Sequence, residues 1–138
     1  FSMGQITYIP DNAFEQKLLN LGFDSDLTIN GQVNTNDIDT IKTLDLSLSG
    51  IYNFSGIEDF SSLQILKISE NFCDSIDVSN NLNLIAFYSS GCIYMQKVKL
   101  PNLIKIVQNR QSRVANFAQI MWRNIRGHTD SNTARPVN

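Results

Sequence analysis

Histidine is almost missing from this sequence: one residue, His128, stands in a chain of 138. A histidine-based catalytic triad and a histidine-containing zinc site are therefore not expected. Cysteine is nearly as scarce. Cys73 and Cys92 can form one bridge at most, too few to build a disulfide scaffold, so the core has to come from packing. No apolar run approaches the roughly 20 residues a membrane helix requires, and no glycine-rich, phosphate-cradling loop is present. Neighbouring acids do occur, as at Glu58-Asp59, but on a surface turn such pairs solvate rather than supply the acid and base of a glycosidase. These absences together point away from an enzyme.

What remains is enough for one folded domain. Hydrophobic residues make up 42% and charged residues 17%, a composition that can bury a core and is far from that of a disordered segment. The net charge of −2 is unevenly distributed. Residues 1–109 carry six Lys against twelve Asp and Glu, whereas residues 110–138 carry five Arg against Asp130 alone. The basic end, with Arg110, Arg113, Arg123, Arg126 and Arg135, invites a nucleic-acid reading. Docking onto the acidic body or a partner is the milder alternative. No nucleic-acid partner is expected. Residues 1–5 read either as the remnant of a secretory signal, with Ser2 and Gly4 placed as small residues before a cut, or as a tag scar.

Residues 6–40 read as an N-terminal cap. Asp11 and Asn12 offer helix-capping oxygens, and Glu15, three after Asn12, completes a capping-box spacing. Phe14, Leu18 and Leu21 recur on one helical face, and Gly22 is placed to end the helix in a left-handed conformation. From Ile41 the periodicity changes to a repeat. Ile41-Lys42-Thr43-Leu44-Asp45-Leu46, Leu63-Gln64-Ile65-Leu66-Lys67-Ile68, Leu84-Ile85-Ala86-Phe87-Tyr88-Ser89 and Leu103-Ile104-Lys105-Ile106-Val107-Gln108 all follow LxxLxL. Asn71 and then Cys92 fall where such a repeat turns a residue inward beneath the chain. Ile76 with Val78, and Val98 with Leu100, form a second apolar pair in each coil, which predicts a short strand on the opposite side. The expected fold is an α/β leucine-rich-repeat solenoid with a short parallel sheet over residues 41–109.

Tyr8-Ile9-Pro10-Asp11-Asn12-Ala13-Phe14-Glu15, Ile57-Glu58-Asp59-Phe60 and Ile76-Asp77-Val78-Ser79-Asn80-Asn81 resemble, in that order, the cap helix and repeats of secreted leucine-rich-repeat proteins of the Bacteroidota. The resemblance covers roughly residues 6–103 and implies export or surface display. It ends near residue 109. Val114, Phe117, Ala118, Met121 and Ile125 then recur at helical spacing, with Ser112 as a cap, which predicts a capping helix over 110–127 and a disordered tail over 128–138.

Three groups of residues are candidates for a site. Residues 26–37 fit the twelve-position calcium loop with Gly31 at its sixth position. Asp26, Thr28, Asn30, Asn34 and Asp37 then supply side-chain oxygens and Gln32 a carbonyl, in a pattern that resembles dockerin-type loops. Either the loop takes calcium weakly, or its Asx side chains cap local turns without metal. The second group is the strand face, where Asp45, Lys67, Tyr88 and Lys105 flank the buried repeat positions and form a ladder centred on Tyr88. The bland alternative is an ordinary solvated face. Third, Cys73 and Cys92 lie on adjacent coils and are either bridged or two buried thiols. The function expected is a secreted or surface-displayed binding module for protein or glycan. The alternative is a structural unit that self-associates.

Overall fold

Every strand among the described residues is three residues long or shorter, so the fold depends on how the elements are stacked rather than on their individual stability. The architecture is that of a computed structural model, which describes residues 4–101 and the backbone of Lys105 and Ile106. The predicted helix over 110–127 and the tail over 128–138 lie outside the described residues.

The cap contains β1 (Ile6–Tyr8), α1 (Asn12–Asn20), β2 (Gln32–Asn34) and α2 (Thr35–Ile38). Asp11 alone caps α1. One of its carboxylate oxygens accepts the amides of Ala13 and Phe14, and the other accepts those of Tyr52 and Asn53, which ties the helix start to the first repeat. Glu15 does not complete the expected capping box; its carboxylate reaches residues 30–32 instead. The helix ends as the sequence predicts, with Gly22 at φ +79° and the Phe23 amide donating to the Leu18 carbonyl. Leu21 departs from the predicted apolar stripe, because it sits at the C-cap and is exposed, leaving Phe14 and Leu18 as the buried residues of that stripe.

β1 and β2 pair antiparallel, with Thr7 opposite Val33. No turn signal in the sequence marks this pairing, since a helix and a long loop separate the two strands. Phe14 carries the cap onto the repeats, its ring 5.7 Å from Phe54 and 6.2 Å from Phe60. Beside it the Thr7 hydroxyl, in hydrogen-bond contact with Thr35, donates to Asp59 at 2.7 Å, so the polar groups at this junction are also satisfied.

The repeats pair through β3 (Thr43–Asp45), β4 (Ile65–Lys67), β6 (Ala86–Tyr88) and β8 (Lys105–Ile106), which form a parallel sheet in that order. Its register aligns Leu44 with Leu66, Phe87 and Ile106. Leu44, Leu66 and Phe87 are fully buried, as are Leu46 and Ile68 two residues on, so the LxxLxL signature is the inward face of this sheet. On the opposite side β5 (Ser75–Asp77) and β7 (Lys97–Lys99) pair in parallel over the predicted second apolar pairs. A 3-10 turn at Ile57–Asp59 closes the first repeat.

Asn71 fulfils the inward role expected of it. Its Nδ2 donates to the carbonyls of Leu46 and Ile68 at 2.8 Å each, and its Oδ1 accepts the amides of Ser49 and Ile51. One side chain thus satisfies four backbone groups across two repeats. Cys92, at the equivalent place, donates its thiol to the Ile68 carbonyl at 3.2 Å. The backbone beside this ladder turns left-handed at the same place in each repeat, at Leu48 (φ 56°), Glu70 (φ 58°) and Gly91 (φ 72°), and in the first repeat again at Gly50 (φ 69°).

Candidate binding face and cap loop

The outward face of the parallel sheet carries two rows of side chains. Asp45, Lys67 and Tyr88 are register partners and form one row, with Lys67 Nζ 5.8 Å from the centre of the Tyr88 ring. A cation over a phenol ring is worth about 0.5–1 kcal/mol at an exposed site, enough to pre-orient both groups without removing either from solvent. Burial pushes the Asp45 carboxyl up, but the Ser47 amide and hydroxyl, then Lys67 and Lys17, hold it below its ordinary value. Ser90 donates to the Ser69 hydroxyl at 3.1 Å along the same edge. The row therefore presents an anion, a cation, an aromatic face and hydroxyls within a few residues.

Lys105 does not join that row as expected. Its backbone pairs with Ala86, so it is in line with Thr43 and Ile65 instead, one alternation away from Tyr88. The physical reason is the period of the strand: Lys105 precedes the inward position of its repeat whereas Tyr88 follows it, and only residues on the same side of that position share a row.

The six loop residues expected as metal ligands lie close together but divide into two hydrogen-bonded groups. Asp26 Oδ1 accepts both the amide and the hydroxyl of Thr28, at 2.9 and 2.7 Å, and its Oδ2 accepts Asn30 Nδ2 at 2.9 Å. Asp37 and Asn34 instead meet at Ser25, through its amide and its hydroxyl. Gln32 joins the first group through its amide, which donates to Asn30 Oδ1 and to Glu15. Among the described residues no three His, Cys, Asp or Glu side chains gather as a metal cluster.

Two carboxylates outside the predicted set organise this loop. Glu15 is fully buried and accepts the amides of Asn30, Gly31 and Gln32. Asp24 is also buried. Its Oδ1 accepts the Asp26 amide at 3.3 Å, and its Oδ2 has no hydrogen-bond partner. Burial pushes the Asp24 carboxyl up, and the charges of Asp26 and Glu15 act in the same direction. Hydrogen bonds from the Thr28 hydroxyl and Asn30 hold Asp26 down. No local spacing in the sequence marks Asp24 or Glu15 as partners of this loop.

Both cysteines are free thiols, Cys73 buried and Cys92 half-buried. They face each other. A hydrogen bond to Cys92, then burial, pushes the Cys73 thiol far up, and the same bond draws Cys92 below its ordinary value. No helix among the described residues is long and apolar enough to cross a membrane.

No protein-family profile and no curated protein matches this sequence. Solved structures do match its fold. The functional domain of InlJ from Listeria monocytogenes, which includes a cysteine ladder, aligns at 17% identity and a TM-score of 0.55, over 77% of this chain and 29% of its own. The CBM51-2 and INT domains of Clostridium perfringens ZmpB align at 18% identity and a TM-score of 0.54, over 72% of this chain and 19% of theirs. This chain thus spans well under half the length of either. At such identities the likeness is one of fold, and what is shared is a leucine-rich-repeat-like arrangement of helix and strand with parallel sheets.

Proposed function

We propose that this chain is a secreted or surface-displayed leucine-rich-repeat solenoid that binds a protein or a glycan through the outward face of its parallel sheet and performs no catalysis. The observation that carries the reading is the single row of Asp45, Lys67 and Tyr88, in which three different chemistries stand side by side in register. A row of this kind can hydrogen-bond, pair with charge and stack at once, which suits recognition and offers no activated nucleophile. Glycan and cell-surface-protein arrays probed with wild-type chain and with a Lys67→Ala/Tyr88→Ala variant test it. Binding to a partner that the variant loses supports the reading, and equal binding by both refutes it.

A second reading concerns the cap loop. We propose that it takes a calcium ion at the partnerless Asp24 Oδ2 beside Asp26, with weak affinity of the kind suited to extracellular modules. Asp24, absent from the sequence-derived ligand set, is the group that favours this reading. A rise in melting temperature with millimolar calcium, reversed by chelator, is expected. No shift leaves the loop held by its own hydrogen bonds.

A further inference from the structure

Three aromatic rings from successive repeats form a continuous exposed row on the flank that follows the parallel sheet. Tyr52 and Phe72 have ring centres 5.2 Å apart, and Phe72 and Tyr94 6.4 Å apart. They are 66%, 41% and 54% exposed, and Leu48 at 80% and Ile93 at 66% are exposed in the same segments. Rings of this size ordinarily bury most of their surface, so a contiguous exposed set marks an interaction surface.

Among the described residues, the charged side chains that flank the row are acidic. Lys67 is the one basic residue between Thr43 and Gln96, and it stands over Tyr88 on the sheet face. Glu70 and Asp74 flank Phe72 and are exposed. The Glu70 carboxylate lies against the bare Cα of Gly91, in the space a Cβ would fill, which brings it to the repeat that carries Tyr94. Among the described residues it has no ion-pair partner, the one ion pair being that of Lys99 with Asp77. Aromatic faces carry negative potential and attract cations, and an unpaired carboxylate beside them adds to that attraction. A second copy meeting the row with its own row would bring acid against acid, and a neutral sugar would make no use of the charge.

We propose that Tyr52, Phe72 and Tyr94, with Glu70 and Asp74, form a docking surface separate from the sheet face. Its occupant is an extended basic segment of a partner polypeptide, whose Lys or Arg side chains stack on the rings and pair with Glu70. The spacing of the rings, one per repeat, lets consecutive basic side chains engage consecutive repeats.

The test is fluorescence anisotropy of a labelled peptide of alternating Arg and Ser against the full chain at physiological salt. A Tyr52→Ala/Tyr94→Ala variant should weaken binding about tenfold. Glu70→Gln should weaken it several-fold, while Glu58→Gln, which removes an equal charge from the Ile57–Asp59 turn, leaves it unchanged. Tyr94→Ser serves as a second ring variant, and all variants are compared at matched melting temperature. The proposal is overturned by absence of peptide binding, by equal loss with Glu58→Gln and Glu70→Gln, or by retention of binding without the rings. It is also overturned if cellohexaose, a neutral sugar, binds the row in place of the peptide and is insensitive to Glu70→Gln.

Discussion

Single side chains that hold two repeats together set the stability of this fold. Asn71 serves four backbone groups, and its replacement by Ala leaves several of them buried without partners at a cost of about 1–3 kcal/mol per group. Asn71→Ala should therefore lower unfolding stability by about 3 kcal/mol in urea titration, and Cys92→Ala, which loses one weaker bond, by about 1 kcal/mol. A smaller effect of Asn71→Ala than of Cys92→Ala would contradict this assignment. The left-handed position gives a prediction of opposite sign. Leu48 carries a conformational cost of about 1–2 kcal/mol there, and glycine carries about 0.5–1 kcal/mol of entropy, so Leu48→Gly should stabilise by about 0.5 kcal/mol. The inward roles of Asn71 and Cys92 were legible because each sits at a fixed offset from LxxLxL. The left-handed turn was not, because Leu48 and Glu70 are residues that avoid that conformation, and Gly91 alone could not establish a pattern. The thiols are distinguishable as well. In native protein at mildly alkaline pH, iodoacetamide should label Cys92 first, since it is partly exposed and its thiolate is favoured, and Cys73 only on unfolding. Equal labelling rates by mass spectrometry would contradict that order.

The cap shows why elements differ in legibility. Helix α1 was readable from its cap, stripe and closing Gly22 because all three signals are local. Glu15 misled for the same reason: its distance from Asn12 fits a capping box, but its carboxylate accepts amides fifteen to seventeen residues away. The β1 and β2 hairpin spans a helix and a long loop, so no turn signal announced it. Within the repeats the reverse holds. Strands of three residues are too short for periodicity to identify singly, and their recurrence identified them together. Lys105 falls outside the row expected for it because the alternation along the strand, and not residue type, sets the rows. A prediction specific to the cap follows from Glu15. Glu15→Gln puts an amide group among three backbone N–H donors in a fully buried site, and should cost about 2–3 kcal/mol. A melting temperature equal to that of wild type would show that the loop does not depend on this carboxylate.

Across the molecule, stability passes from the cap into the repeats through Phe14, Phe54 and Phe60 and through the Thr7 bond to Asp59. Repeat architectures hold only nearest-neighbour contacts, so an uncovered end exposes core. Removing residues 6–40 should leave Phe54 and Phe60 without Phe14 and yield aggregating material, and a soluble, folded truncation by size-exclusion chromatography would argue against the cap's role. Recognition at the sheet face is the function proposed for this arrangement. Its most direct measurement is partner binding on glycan and surface-protein arrays by wild-type chain and by the Asp45→Ala/Lys67→Ala/Tyr88→Ala variant, with melting temperatures compared in parallel. A partner held by the wild type and lost by an equally stable variant is the expected result. A partner held equally by both, or no partner together with a mass that grows with concentration, would contradict it and favour a self-assembling unit.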